Sequence, residues 1–281
     1  DDCTVGRRVD YAYRSVDGGP LKPLLDPTVR PDDLAHTTTL LAEVVPYIVR
    51  LETGTINRAI YQVAMLHDPV ADPEPDPWRR SIGWNGRLIY TFGGGCVNGW
   101  YRQGRRTGGV ADDVMLRQGY AVASSTLNVF GNNCNDLLAA ETMMMVKERF
   151  IEAYGPPLFT IGWGSSGGSH QQFGIADNYP GLLDALVVGS SFPDMTSGTV
   201  FKSVDARLLE RYFEHVAPQR FTPEQQRAVS GFGVRASIPA MSVMARRSDP
   251  LADFADVMPE EFRYHPDLNP GDARAEERFK E

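Results

Sequence analysis

Hydrophobic and polar positions change their spacing several times along the chain, and each change marks an element. Residues 57–67 (NRAIYQVAMLH) alternate in part and are rich in strand formers. They give way over 68–78 to a proline-rich loop whose Asp-Pro and Glu-Pro steps favour extended or turn backbone. Residues 87–92 (RLIYTF) are a short apolar run closed by Gly93, Gly94 and Gly95, the pattern of a buried strand entering a tight loop. A further strand is predicted over 120–124, and a helical period runs through 136–154, with Leu137, Leu138, Met144, Met145 and Phe150 on overlapping faces. Residues 158–163 (LFTIGW) form the next strand and run without a linker into glycines and a helix over about 169–176. Residues 183–190 are apolar on both faces, as a parallel strand requires.

Strands alternating with helices predict an α/β fold with a mostly parallel sheet and helices on both faces. Before this core, residues 1–56 read as a polar lead-in with short strands such as 9–13. After it the texture turns helical. Val200, Val204, Leu208, Leu209, Tyr212, Phe213 and Val216 mark an amphipathic helix, Thr222-Pro223-Glu224-Gln225 is a capped helix start, and 238–258 again looks helical. The expected organisation is a lead-in over 1–56, a core over 57–194 and a helical lid or insertion over 195–281.

Composition narrows the class without naming a function. The 281 residues carry 42% hydrophobic and 23% charged side chains with a net charge of -8, which fits a globular chain and argues against nucleic acid as a partner. No stretch approaches the roughly 20 apolar residues of a membrane span. The three cysteines, Cys3, Cys96 and Cys134, lack the paired spacing of a zinc site, so no metal and no cofactor are expected. One disulfide plus a leftover Cys is compatible with an oxidising compartment. The chain opens at Asp1 without an apolar leader, which fits either removal of a signal peptide or a sequence that starts late.

The chemistry concentrates in Gly164-Ser165-Ser166-Gly167-Gly168, a G-x-S-x-G arrangement centred on Ser166. Such a serine sits on a sharp strand-to-helix turn that exposes its Oγ, and glycines let the backbone pass closely. The match follows a predicted strand and opens a helix, the context the motif demands. The bland alternative is a glycine-rich βα turn, possibly binding phosphate. A second cluster, Gly93, Gly94 and Gly95, follows an earlier strand, where one amide of an oxyanion hole would arise, the other coming from Gly167. A plain tight turn is the alternative there. Trp100, Tyr101, Trp163 and Phe192 could line a substrate pocket or serve the core, and Met143, Met144 and Met145 read as core.

The block GWGSSGGSHQQ, with FGGGC before it and NYPGLLDALVVGSSFPD after it, resembles the serine α/β-hydrolases. It is most similar to bacterial secreted hydrolases distantly related to tannases and feruloyl esterases, over roughly residues 57–194. The resemblance implies an α/β-hydrolase fold, a Ser-His-Asp triad and ester hydrolysis, with Ser166 as nucleophile and Gly167, Gly94 and Gly95 as oxyanion donors. An acid and then a histidine should follow on two further strands, and here the chain departs from the pattern. His36 and His67 precede the nucleophile, His170 lies on its own helix, and His215 ends an amphipathic helix. His265 sits in a loop, and Asp194 follows the last core strand, so these two are the candidates within the chain.

The expected protein is therefore a secreted or periplasmic serine esterase acting on a small-molecule or polymeric ester. An amide-bond hydrolase with the same machinery, or a non-catalytic binding module on this fold, is the alternative. Because residues after 190 offer no further apolar strand run, the remaining strands, acid and histidine are expected on a second polypeptide, produced by cleavage near Glu281 and held by sheet pairing, with a disulfide to Cys3 as an additional link. The alternative is that Asp194 and His265 complete the site. Cys96 and Cys134 both follow predicted strands at one edge of the sheet, so a bridge between them is expected, with two buried thiols as the alternative.

Overall fold

The computed structural model describes residues 4, 6–96, 103–192 and 201–245. The chain divides into two compact units, residues 1–97 with 102–191 and residues 98–101 with 192–281.

The first unit is built on an eight-stranded mixed sheet. Its strands are β1 (Arg8–Tyr13), β2 (Lys22–Pro23), β5 (Ile48–Ile56), β6 (Ala59–Leu66), β7 (Arg87–Phe92), β8 (Ala121–Ser125), β9 (Phe159–Ser165) and β10 (Ala185–Gly189). The short strands β3 (His36–Thr38) and β4 (Val44–Pro46) form a separate hairpin. In the order β10-β9-β7-β8-β6-β5-β1-β2, the first four strands are parallel to one another and the rest antiparallel. The predicted α/β sheet is present, and its parallel part is the half formed by β7, β8, β9 and β10. Its antiparallel half comes largely from the segment expected to be a lead-in. The nine-residue β5, with polar Arg50, Glu52, Thr53 and Thr55 breaking its apolar run, gave no clean strand period, yet it pairs along its whole length with β6. A two-residue turn joins them, and Asn57 and Arg58 both take positive φ (52° and 60°), the twist that suits a tight hairpin.

Alternate residues of the central strands feed two cores. On one face Tyr61, Val63, Leu88, Tyr90, Phe92 and Ala123 pack under α2 (Asp136–Tyr154) and α3 (Gly167–Asn178), which contribute Met143, Val146, Phe150 and Ile175. Each such fully buried side chain stabilises by about 1.5–3 kcal/mol. On the other face Val49, Ala64, Leu66, Ile89 and Val122 pack under Met115 and Leu116 of the single-turn α1 (Asp113–Leu116) and under Val45 and Tyr47. Met143 joins the core as expected, whereas Met144 and Met145 lie on the solvent side of α2.

β10 departs from expectation. Ala185 and Val187 are exposed, Val187 at 41%, although the sequence reads as a strand buried on both faces. In register beside them stand Ile161 and Trp163 of β9, and Phe159 continues the row, with Phe159 51% and Trp163 47% exposed. β10 is the outer strand of the sheet among the described residues, and beside it Phe159, Trp163 and Val187 are exposed while Ile161 is half-buried against the core of Ile89 and Val122.

The second unit is helical through its described residues 201–245. It contains α4 (Phe201–Arg211), a π-turn at Tyr212–Val216, α5 (Pro223–Ser230) and α6 (Ser237–Ala245), with α4 packed on α6. The predicted capping box is formed: Thr222 Oγ1 accepts from Gln225 N while Gln225 Oε1 accepts from Thr222 N, and Pro223 occupies the first turn.

Candidate active site

Ser166 is where sequence and backbone geometry first meet. β9 ends at Ser165 and α3 begins at Gly167, so the whole turn is one residue, and Ser166 takes φ 58° and ψ -123°. That is a costly conformation for a residue with a Cβ, held because its surroundings over-determine it. Ser166 N–H donates to the Gly189 carbonyl of β10 (2.9 Å), and the Ser166 carbonyl accepts from Ser169 N, His170 N and Ser169 Oγ (2.9, 3.2 and 2.6 Å). Ser166 is exposed, and its Oγ makes no helix-capping bond although it stands at the N-cap.

The glycines around it are steric requirements. A Cβ on Gly164 would lie 2.8 Å from the Phe92 carbonyl oxygen, and one on Gly168 2.5 Å from the same atom. A Cβ on Gly167 would collide with the Gly95 carbonyl oxygen. These contacts exist because β7 and β9 are paired, with Phe92 opposite Gly164. Pairing also brings together two clusters far apart in sequence. A Cβ on Gly94 would sit 2.9 Å from the Ser165 carbonyl oxygen, 3.4 Å from Ser166 Cβ and 3.8 Å from Gly167 N. Gly94 thus abuts the serine, while Gly95, at φ 91°, stands against Gly131 and Gly167. Both clusters lie at the carboxyl ends of adjacent parallel strands. There β7 is flanked by β8 and β9, and the chain crosses from one side of it to the other, the position where open α/β sheets bind ligands.

The 93–95 loop is fastened from several sides. Gly93 N donates to Asn128 O (2.9 Å), Phe130 N donates to Gly93 O (3.2 Å) and Gly131 N donates to Gly94 O (2.8 Å). Asn128 is buried; its Oδ1 accepts from Tyr90 OH (2.7 Å) and its Nδ2 donates to Ala139 O (2.8 Å), tying β7 to α2. Full burial pushes the Tyr90 phenol well above its ordinary range, so it remains a neutral donor. The Cys96–Cys134 disulfide is present, with Cα atoms 4.9 Å apart and a sequence separation of 38. It links the end of the glycine loop to the residue before Asn135, the N-cap of α2. From α3, Gln171 reaches back: its Nε2 donates to Gly93 O (3.1 Å) and to Gly167 O (3.3 Å).

The remaining site candidates are distributed as follows. His170, one turn beyond Ser166, has its Nε2 3.7 Å from Asp136 Oδ1 and its ring beside that of Phe130. His67 is buried in a structural role, its Nδ1 bonded to Tyr11 OH (3.0 Å) and its Nε2 to Pro73 O (3.1 Å). His36 lies in β3 and His215 in the π-turn of the second unit. Asp194, His265, Trp100, Tyr101 and Cys3 lie outside the described residues. Trp163 is an exposed residue of β9 in register with Val187 of β10. Among the described residues no histidine or carboxylate bonds Ser166 Oγ, no group of three or more His, Cys, Asp or Glu could hold a metal, and no helix is long and apolar enough to cross a membrane. Sequence reasoning missed Gln171 and Asn128, because a buried amide acquires a role only from which backbone carbonyls the fold brings to it.

A family model spans residues 1–278 of this chain. The chain belongs to the tannase-like family of unknown function DUF6351. Solved structures similar to this family member include a tannin acyl hydrolase from Aspergillus niger, at TM-score 0.39 and 13% identity, covering 66% of this chain and 35% of that one. An esterase from Aspergillus oryzae matches at TM-score 0.35 and 13% identity, covering 76% of this chain and 39% of the other. Esterase E22 matches at TM-score 0.29 and 12% identity, over 98% of this chain and 73% of its own. The chain thus spans little more than a third of the length of the two Aspergillus chains. No curated protein matches the sequence.

Proposed function

We propose that this tannase-like chain carries the nucleophile and oxyanion hole of an extracellular serine ester hydrolase. The observation that carries the reading is the exposed Ser166 at positive φ, on a one-residue turn between β9 and α3, with Gly94 and Gly167 N packed against it. Ser166 Oγ attacks the ester carbonyl carbon while a base takes its proton, and the negative charge moves to the carbonyl oxygen. Gly167 N–H, the first in α3 and so without an intrahelical acceptor, and Gly94 N–H are the donors for that oxyanion. The intermediate collapses with loss of the alcohol, which takes the proton, and water then releases the acid from the acyl-serine. An amide would be cleaved by the same steps. The disulfide supports an oxidising location.

Without a base the serine hydroxyl is a weak nucleophile. The reading therefore includes a further polypeptide that adds a parallel strand along β10 and covers the exposed Phe159, Trp163 and Val187. A strand parallel to β10 would end level with Gly189, whose carbonyl already binds Ser166 N, so its following loop could deliver a carboxylate or histidine to the serine. Completion of the site by Asp194 and His265 of this chain is the competing arrangement.

A fluorophosphonate probe tests the nucleophile. Assayed with the base in place, together with the second polypeptide where that supplies it, the wild-type protein is expected to become covalently labelled and Ser166→Ala to remain unlabelled; labelling that survives the substitution removes Ser166 from the mechanism. A panel of small esters and matching amides on the unlabelled wild-type protein then separates esterase from amidase.

A further inference from the structure

We infer that Gln171 is the positioning residue of the oxyanion hole, clamping the Gly93 carbonyl so that the Gly94 N–H is held ready for the developing charge. The inference rests on the hydrolase reading above and adds a residue which that reading does not use.

The two proposed amide donors are held in different ways. Gly167 N–H is oriented by its own peptide plane, because the Ser166 carbonyl on the other side of that plane is fixed by Ser169 N, His170 N and Ser169 Oγ. A helix start supplies this without help. Gly94 lies in a loop, and its side of the hole must be fixed from outside. In a trans peptide the Gly93 C=O and the Gly94 N–H point in opposite directions, so whatever anchors the first aims the second. The Gly93 carbonyl has two donors, Phe130 N at 3.2 Å and Gln171 Nε2 at 3.1 Å. Gly94 N–H has no acceptor among the described residues, as a donor reserved for a ligand requires.

Gln171 is placed for this. It is 1% exposed, sits one helical turn after Gly167, and bridges the two glycine clusters by donating to Gly93 O and Gly167 O together. Two carbonyl acceptors determine which end of the amide is which: only the NH2 group can face them. Its Oε1 is then buried with no hydrogen-bond partner among the described residues. A buried orphan carbonyl costs stability, and a methionine of the same length would fill the space without that cost. Packing alone therefore favours an apolar residue at this position. The amide makes physical sense through the carbonyls it binds.

The test is the rate of serine phosphonylation. As Ser166 Oγ attacks phosphorus, an O–P bond forms, the P–F bond breaks with departure of fluoride, and the hydroxyl proton passes to the base, while the P=O oxygen occupies the oxyanion position. Gln171→Met is expected to lower the maximal inactivation rate roughly tenfold, with the probe's half-saturating concentration changed less than twofold and thermal stability unchanged or raised, since removing one oxyanion donor outright costs about 10²–10³. Gln171→Glu sets a carboxylate against two carbonyl oxygens, so its rate falls further at pH 8. The ratio of its rate to that of the wild type should rise as pH is lowered, because protonation restores one donor. Equal maximal rates for wild type and Gln171→Met, or a Gln171→Glu ratio that is flat with pH, overturn the inference while leaving the hydrolase reading standing. A wild-type protein that is never labelled, alone or together with the second polypeptide, overturns both.

Discussion

At the residue scale, the site is a set of missing side chains around one strained serine. A Cβ on Gly94 must push against the Ser165 carbonyl oxygen at 2.9 Å and Ser166 Cβ at 3.4 Å, neither of which can rotate away. Gly94→Ala is therefore expected to slow fluorophosphonate labelling roughly 10²-fold, the scale of one lost oxyanion donor. An unchanged rate would mean that Gly94 is a plain turn. A second residue-scale expectation concerns Glu52, fully buried in β5 and bonded by Tyr61 OH and Tyr154 OH (both 2.7 Å) and by Arg149 Nε (3.1 Å). Burial alone would raise its pKa; the hydrogen bonds from the two tyrosines and the Arg149 charge outweigh it and hold the carboxyl below its ordinary value of 4.5. The same burial and the Glu52 charge push the Tyr61 phenol up to about 12. A carboxyl with a lowered folded value stabilises above its ordinary range, and that stability is lost as pH falls through the folded value. Chemical unfolding of the wild type followed below pH 4.5 should show this loss, and Glu52→Leu, which removes the acceptor of the buried Tyr61 and Tyr154 hydroxyls and the partner of the half-buried Arg149, should cost about 3–5 kcal/mol at pH 7 and flatten the profile. A profile as steep in the variant as in the wild type would assign the acid sensitivity to other groups.

At the element scale, the glycine loop after β7 has no regular structure of its own and is held by what surrounds it. The Cys96–Cys134 bridge, at a sequence separation of 38, joins that loop to the N-terminus of α2. By the chain-entropy argument the bridge contributes about 3–4 kcal/mol. A double Cys96→Ser, Cys134→Ser variant should melt at a lower temperature, and its labelling at Ser166 should slow even where it remains folded, because one tether of the oxyanion loop is gone. A lowered melting temperature with undiminished labelling would leave the bridge a purely structural role. The helices report a related lesson. α2 and the capping box of α5 are legible from local spacing, since period and cap are short-range chemistry. β5 is illegible, because its buried Arg50 and Glu52 are satisfied by Tyr154 and Arg149, about a hundred residues away.

At the scale of the whole molecule, the sheet has one finished end and one open one. Towards β2 it closes with short antiparallel strands, the ordinary way to blunt an edge. Towards β10 it stops, among the described residues, at an unpaired parallel strand beside the uncovered Phe159, Trp163 and Val187. A parallel strand uncovered on one face is unusual, and an apolar patch next to a free edge favours association. Residues 1–281 expressed alone are accordingly expected to self-associate or to lack activity on simple esters, and to gain activity with the proposed second polypeptide. A soluble, monodisperse and fully active preparation would refute the two-chain arrangement in favour of Asp194 and His265.

What the sequence determines by itself is what short-range chemistry can encode: the α/β alternation, the helix starts, and Ser166 among glycines on a strand-to-helix turn. Those signals depend on neighbours within a few positions, and they are written in local spacing. The tertiary structure alone decides that Gly94 lies against Ser166, that Gln171 binds both glycine segments, and that His170 faces Asp136. Each of these depends on the pairing of β7 with β9 and on the packing of α3 over them. Such contacts are fixed by burial and by the hydrogen-bonding needs of backbone groups distant in sequence, and no local pattern carries them.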